Sequence, residues 1–236
     1  MLKDVKVFIG MPSIDGKYHG LAVQTLLFNL IEVPFLAPYF VYRHRISSAR
    51  NMITKAFLES DATHLLFLDD DNAVQNNTLK KFIELDKDIV TACIMQRGSK
   101  DNVCIKKKIE LGNKKFTHDF YKVDELPKEP FRVDVCGMGF CLIKRAVLEA
   151  VCNIKTSEGS YSDPFIEIAN RTLFEGNLYE IMPVGEDLSF CLKATRKGFE
   201  IWADPTIKTS HINIPLSNDY TPKNEPARTP VASDTN

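Results

Sequence analysis

Four apolar residues, Leu65-Leu66-Phe67-Leu68, follow His64 and run straight into three consecutive carboxylates, Asp69-Asp70-Asp71, and then Asn72. A short apolar run bounded by polar residues reads as a strand buried on both faces. Adjacent carboxylates repel one another and are not stable in a dry core without a partner. A divalent cation at the carboxyl end of the strand resolves the repulsion. Oxygen ligands, with a phosphate as co-ligand, favour Mg²⁺ or Mn²⁺. The plainer reading is a solvated turn in which Asp71 or Asn72 caps a helix.

The rest of the first half repeats a strand–helix alternation. Val5 to Gly10 reads as a strand and Met11-Pro12-Ser13-Ile14-Asp15-Gly16 as the loop after it. Leu21, Val23, Leu26, Leu27, Leu30 and Ile31 suit a helix with a broad apolar face, and Pro38 to Tyr42 a second strand. Ser47 or Ser48 is placed to cap a helix whose stripe is Ala49, Met52, Ile53, Ala56 and Phe57, with Arg50 and Asn51 off the stripe. The acidic strand, a helix capped by Asn76 or Asn77, and a strand from Asp88 to Cys93 complete the series. This order predicts an α/β fold with a mostly parallel central sheet flanked by helices, in which ligands sit outside the carboxyl ends of the strands.

The second half differs. Residues 97–130 read as a β-hairpin or excursion, Phe131 to Val135 and Phe140 to Ile143 as strands around a Gly137-Met138-Gly139 turn, and Lys144 as the start of a helix. Residues 155–184 read as a long loop, a kind of segment that is usually functional. Gly185-Glu186-Asp187 opens a further helix ending at Gly198, followed by short strands up to His211. Residues 213–236, polar and rich in proline, are expected to form a flexible tail. A formal net charge of −1 over 236 residues gives no electrostatic case for nucleic acid, and no apolar run reaches the length of a membrane span. The six cysteines lack Cys-x-x-Cys spacing and several lie in apolar runs, so reduced thiols in a cytoplasmic protein without a signal peptide are expected.

Pro12-Ser13 after the first strand, Ala49-Arg50-Asn51 in a helix, Asp69-x-Asp71 after a buried strand, and Gly185-Glu186-Asp187 ahead of His211 form an ordered set. In order and spacing the set resembles GT-A fold glycosyltransferases, especially the family 2 type and its short bacteriophage-like relatives. The resemblance implies one domain over 1–212, with residues 1–96 handling nucleotide sugar and metal and residues 97–212 the acceptor. It implies Mn²⁺ or Mg²⁺ on Asp69, Asp71 and His211, with Asp69 alternatively reaching the ribose. Pro12, Ser13, Asp15, Arg50, Asn51, Asp69 and Asp70 would lie toward the nucleotide-sugar donor. Asp187, with Glu186, would deprotonate the acceptor hydroxyl of a glycan or other small acceptor, in an inverting reaction. The plainer reading of Glu186 and Asp187 is stabilisation of a helix dipole, worth about 0.3–1 kcal/mol. That of Arg50 is a solvated helix face, and that of His211 an ordinary strand-end histidine.

The chain departs from the family pattern at Tyr42-Arg43-His44-Arg45, which is basic where an acidic run would read the nucleobase. A Gln-x-x-Arg-Trp element of processive synthases is absent, which favours single addition over polymerisation. Two other readings share the scaffold. One is a sugar-phosphate nucleotidyltransferase, whose Gly-rich loop after the first strand Met11 to Asp15 does not match. The other is a non-catalytic carbohydrate-binding protein.

Overall fold

The computed structural model describes residues 4–31, 33–112, 115–152, 162–167, 173–174, 177–178 and 185–212. The expected tail at 213–236 and most of the loop at 155–184 lie outside the described residues. In chain order the strands are β1 (Val7–Ser13), β2 (Tyr39–Tyr42), β3 (His64–Leu68), β4 (Asn72–Val74), β5 (Ile89–Ala92), β6 (Asn102–Gly112), β7 (Lys115–Lys122), β8 (Phe131–Val133), β9 (Val135–Cys136), β10 (Phe140–Lys144), β11 (Leu173–Phe174), β12 (Asn177–Leu178), β13 (Ile201–Asp204) and β14 (Thr209–His211). The helices are α1 (Gly20–Leu30), α2 (Ile46–Glu59), α3 (Thr78–Leu85), α4 (Arg145–Val151) and α5 (Glu186–Arg196).

Seven strands form the central sheet in the order β2-β1-β3-β10-β5-β13-β8. β1 runs parallel to β2 and β3, and β13 parallel to β5, while β10 enters antiparallel between β3 and β5 and β8 closes the far edge antiparallel. The expected mostly parallel α/β sheet is therefore present, with two strands reversed. Strands from both halves of the sequence interleave in it. Successive β3 residues face opposite layers. Leu65 and Phe67 join the core beneath α2, α4 and α5, and Leu66 and Leu68 the core beneath α1 and α3. All four are at most 1% exposed, and burying each contributes about 1.5–3 kcal/mol. That double burial is why β3 lacks polar alternation.

Several local expectations are corrected. β1 continues to Ser13, so Met11, Pro12 and Ser13 are strand rather than loop. β2 lies beside them in register Met11↔Phe40, Pro12↔Val41 and Ser13↔Tyr42, whereas β3 pairs only as far as Gly10↔Phe67. Proline is tolerated because the strand is paired on one side only there. α1 buries Ala22, Thr25, Leu26, Asn29 and Leu30, leaving Leu21, Leu27 and Ile31 exposed. Its polar positions decide the face: Thr25 Oγ1 accepts from the Val74 amide at 3.1 Å, and Asn29 Oδ1 accepts from the Leu79 amide at 3.0 Å. α2 starts at Ile46 after Arg45, so Ser47 and Ser48 lie inside it and neither caps it. It buries Arg50 and Thr54 and leaves Met52 41% exposed.

α2 ends against one side chain. Arg145 Nε donates to the Ala62 carbonyl at 2.7 Å, and its Nη2 donates to Ser60 at 2.7 Å and Phe57 at 3.0 Å. The last carbonyls of a helix have no partner within it, and a guanidinium with five donors is suited to collect them. This contact locks α4 to α2 at the amino end of β3, opposite the edge that carries the acidic turn.

Candidate functional site

The carboxyl ends of β1, β3, β5 and β13 open at one edge of the sheet, and the acidic turn lies there between β3 and β4. Backbone contacts tie it in three directions. The Asp69 amide donates to Gly139, the Asp70 carbonyl accepts from His19 and the Asp71 carbonyl accepts from Ile212. The three side chains separate accordingly, which keeps adjacent like charges apart. Asp69 reaches Arg50, Asp70 turns toward Ser13 at the start of the α1 side, and Asp71 meets His211 and Arg97.

Arg50 joins the two acidic sequences. Its side chain is 4% exposed; Nη2 donates to both oxygens of Asp69 at 3.2 Å, and Nη1 donates to Glu186 at 2.5 Å and to Asp187. Burial opposes its charge, but Asp187, Asp69 and Glu186 raise its pKa above the ordinary arginine range. Three carboxylates share one guanidinium, so full ionisation leaves two negative charges uncompensated in a half-enclosed site. Asp187 carries the consequence. Burial, with Glu186 and Asp69 nearby, pushes its carboxyl up to about 7 against the pull of Arg50. Its side chain keeps 30% of its surface accessible, facing the cavity that Asp187 lines.

β14 pairs antiparallel with β4, setting His211 opposite Asn72. His211 Nδ1 donates to the Met95 carbonyl at 3.1 Å, and Nε2 lies 3.0 Å from Asp71 Oδ2. With a proton on Nδ1, a neutral His211 turns a lone pair toward a carboxylate oxygen, so a proton or a metal cation must stand between them. The hydrogen bond to Asp71 raises the His211 pKa. Burial raises that of Asp71, but His211 and Arg97 together bring it below the ordinary carboxylate value.

These groups line one cavity of about 630 Å³. Asp69, Asp71, Glu186, Asp187 and His211 are all on its wall, the Gly137-Met138-Gly139 turn forms another side, and the β6–β7 hairpin covers it with Lys106, Phe116 and Phe120. Neither Gly137 nor Gly139 has a positive φ. Close approach is what requires glycine at Gly139, where a Cβ would lie 2.6 Å from Asn72 Nδ2. Arg50 stands behind the acidic wall. Pro12, Ser13, Asp15, Asn51 and Asp70 are not brought to the cavity lining. Asp15 pairs with Lys17, Ser13 Oγ organises the same turn, and Asn51 exchanges two hydrogen bonds with the backbone of Phe165. Arg97, Lys106 and the hairpin aromatics escaped sequence reasoning. The available signal was the alternation of Phe116, His118 and Phe120 opposite Lys106 and Lys108, which becomes visible only once the strands are paired.

Among the described residues no three His, Cys, Asp or Glu side chains are gathered as a metal-holding group. The Asp71–His211 pair nevertheless suits one cation. Two ligands at right angles, each about 2.1 Å from an octahedral ion, lie about 3 Å apart, which is the separation seen here. The carbonyl of Met95 fixes the ring with Nε2 outward, as metal-ligating histidines are commonly held. Magnesium-type ions are usually bound through one or two protein groups plus substrate phosphate and water, so two donors are a fitting complement.

No protein-family model matches the chain, and no curated protein matches it in sequence. Its fold is similar to that of A197 from STIV, a viral protein of GT-A-like fold, with a TM-score of 0.55 and 18% identity over 94% of this chain and 99% of that one. It is also similar to GalNAc-T7, crystallised with UDP, GalNAc and Mn²⁺, with a TM-score of 0.51 and 12% identity over 88% of this chain. The match spans 44% of the GalNAc-T7 chain. At these identities the likeness establishes the fold, which is GT-A-like.

Proposed function

We propose that this GT-A-like chain is a metal-dependent glycosyltransferase that moves one sugar from a nucleotide-sugar donor to a hydroxyl acceptor with inversion. One observation carries the reading. Side chains from the β3–β4 turn, the first turn of α5 and the end of β14, with Asp71 and His211 140 residues apart, converge on a single cavity at the carboxyl edge of the sheet. The presence of UDP, GalNAc and Mn²⁺ in GalNAc-T7 supports a nucleotide-sugar donor and a divalent cation for this scaffold.

In this reading Asp71 and His211 hold Mn²⁺ or Mg²⁺, with Asp69 on the ribose or a metal-bound water. The bound cation supplies charge neutralisation for the departing nucleoside diphosphate. Asp187 takes the proton of the acceptor hydroxyl, whose oxygen then bonds to the anomeric carbon as the bond to the diphosphate breaks on the opposite face. A base with a pKa near neutrality suits that transfer. Arg50 stays paired to Asp69 and Glu186 when Asp187 is protonated, so the guanidinium does not lose its compensation. Arg97, at the rim beside Asp71, is placed to receive phosphate oxygens.

A thermal-shift screen of nucleoside diphosphates and nucleotide sugars, with and without Mn²⁺, identifies the donor through metal-dependent stabilisation. With that donor, Asp187→Ala is expected to reduce transfer by about 10²–10⁴-fold, and Asp71→Ala to abolish metal-dependent stabilisation by nucleoside diphosphate. Wild-type turnover in both variants overturns the assignment. Release of pyrophosphate from a nucleoside triphosphate and a sugar phosphate would instead favour a nucleotidyltransferase.

A further inference from the structure

Three consecutive lysines on β6 have different fates. Lys107 Nζ pairs with Glu125 at 3.0 Å, and Lys108 Nζ pairs with Glu110 at 3.2 Å. Lys106 lines the cavity and, among the described residues, has no carboxylate within ion-pairing distance. Its ammonium lies 4.2 Å from the centre of the Phe120 ring, a favourable contact for a cation but not a charge partner. Burial holds its pKa below the ordinary lysine value. The register of the hairpin explains the arrangement. Lys106 faces Phe120, Lys108 faces His118 and Glu110 faces Phe116, so one face of the ribbon sets two lysines and a glutamate opposite a row of aromatic rings. Phe116 and Phe120 belong to the cavity lining with Lys106, alongside Asp187.

A ribbon face that combines flat apolar rings with a half-buried ammonium that no described carboxylate contacts directly, Asp187 and Asp119 acting on it only from further away, suits a ligand with an apolar ring face and an anionic group. Sugar rings present axial C–H faces that stack on aromatic rings, and a phosphoryl or carboxylate group supplies the direct ion-pair partner that Lys106 lacks among the described residues. Asp187 and Glu186 on the same wall would repel such a group unless a cation offset them, which is the role the position of Lys106 allows.

We propose that the β6–β7 hairpin face carrying Lys106, Phe116 and Phe120 is the acceptor subsite, and that it selects a sugar bearing an anionic group near the hydroxyl to be glycosylated. This rests on the glycosyltransferase reading for the word acceptor, but the binding it asserts is measurable without transfer. Affinities of a hexose 6-phosphate, a hexuronate, a neutral methyl hexoside and inorganic phosphate are compared by isothermal titration calorimetry and saturation-transfer NMR. The full chain is used, with and without uridine diphosphate and Mn²⁺.

The two anionic sugars are expected to bind about tenfold more tightly than the neutral hexoside, the increment of one charge-assisted hydrogen bond. Lys106→Gln should bring that ratio close to one while leaving the neutral hexoside unchanged, and Lys106→Arg should keep it. Phe120→Leu should weaken all three sugars alike. Melting curves of the variants matching the wild type show that the fold is retained. Equal binding of neutral and anionic sugars, a ratio indifferent to Lys106→Gln, no sugar binding under either condition, or inorganic phosphate binding as tightly as the sugar phosphate each overturn the proposal. A selective hairpin without transfer activity would leave the subsite standing and count against the glycosyltransferase reading, and transfer to a neutral acceptor would do the reverse.

Discussion

Arg50 is the residue on which the charge balance of the site depends. Its guanidinium is buried and touches Asp69, Glu186 and Asp187. Removing one partner of a buried charge cluster costs about 3–5 kcal/mol, because the remaining charges stay buried. Arg50→Met is therefore expected to lower the unfolding free energy at pH 7 by about that amount in urea titrations. The deficit should shrink at acid pH, where protonated carboxylates need no counterion. Asp187 makes a separate pH prediction. Its folded-state pKa of about 7 lies above the ordinary 3.8, so the folded chain binds this proton more tightly than the unfolded chain. The resulting stability is complete below the ordinary value and is lost as pH rises through about 7. Asp187→Asn should flatten the stability profile across that window. Under the proposed role of general base, Asp187 would act only when ionised, so the transfer rate should fall about tenfold per pH unit below about 7.

Among the elements, the Gly137–Gly139 turn and the end of α2 decide how closely the layers approach. Gly139→Ala places a methyl group against Asn72 Nδ2, and overpacking of this kind costs about 1–3 kcal/mol. Asn72→Ser should recover part of the loss, since Ile94 Cδ1 also lies 2.9 Å from that Cβ position, and a double-mutant cycle of melting temperatures measures the coupling directly. Arg145→Ala removes the donors that serve the last carbonyls of α2. Hydrogen bonds to a charged group contribute about 1.5–3 kcal/mol, so chemical denaturation should reveal a loss of at least that size. Hydrogen exchange should rise first at the α2 terminus, where the carbonyl partners are lost.

Across the whole molecule, the sheet divides the core into two layers and leaves the cavity at one edge. The buried strand β3, the parallel series around it and the opening of α5 by Gly185-Glu186-Asp187 were legible from apolar runs and helix-start signals, because those patterns report burial and local geometry. Asp69, Asp71, Glu186, Asp187 and His211 were legible as candidates from their order along the chain, since each taken singly has an ordinary structural reading at a strand or helix end. Other features depend on contacts between segments far apart in the chain. The α1 face that buries Thr25 and Asn29 in place of Leu21 and Leu27 is decided by hydrogen bonds to β4 and α3. The placement of Arg50 behind three carboxylates is decided by how α2 crosses the sheet. The alignment of Lys106 with Phe120 comes from cross-strand register, which no local pattern encodes. Local periodicity thus determined which segments are strands and helices and where charge gathers, whereas the pairing of those charges and the making of the cavity wall were decided by tertiary packing, since like and unlike groups choose partners only when the sheet brings them within a few ångströms.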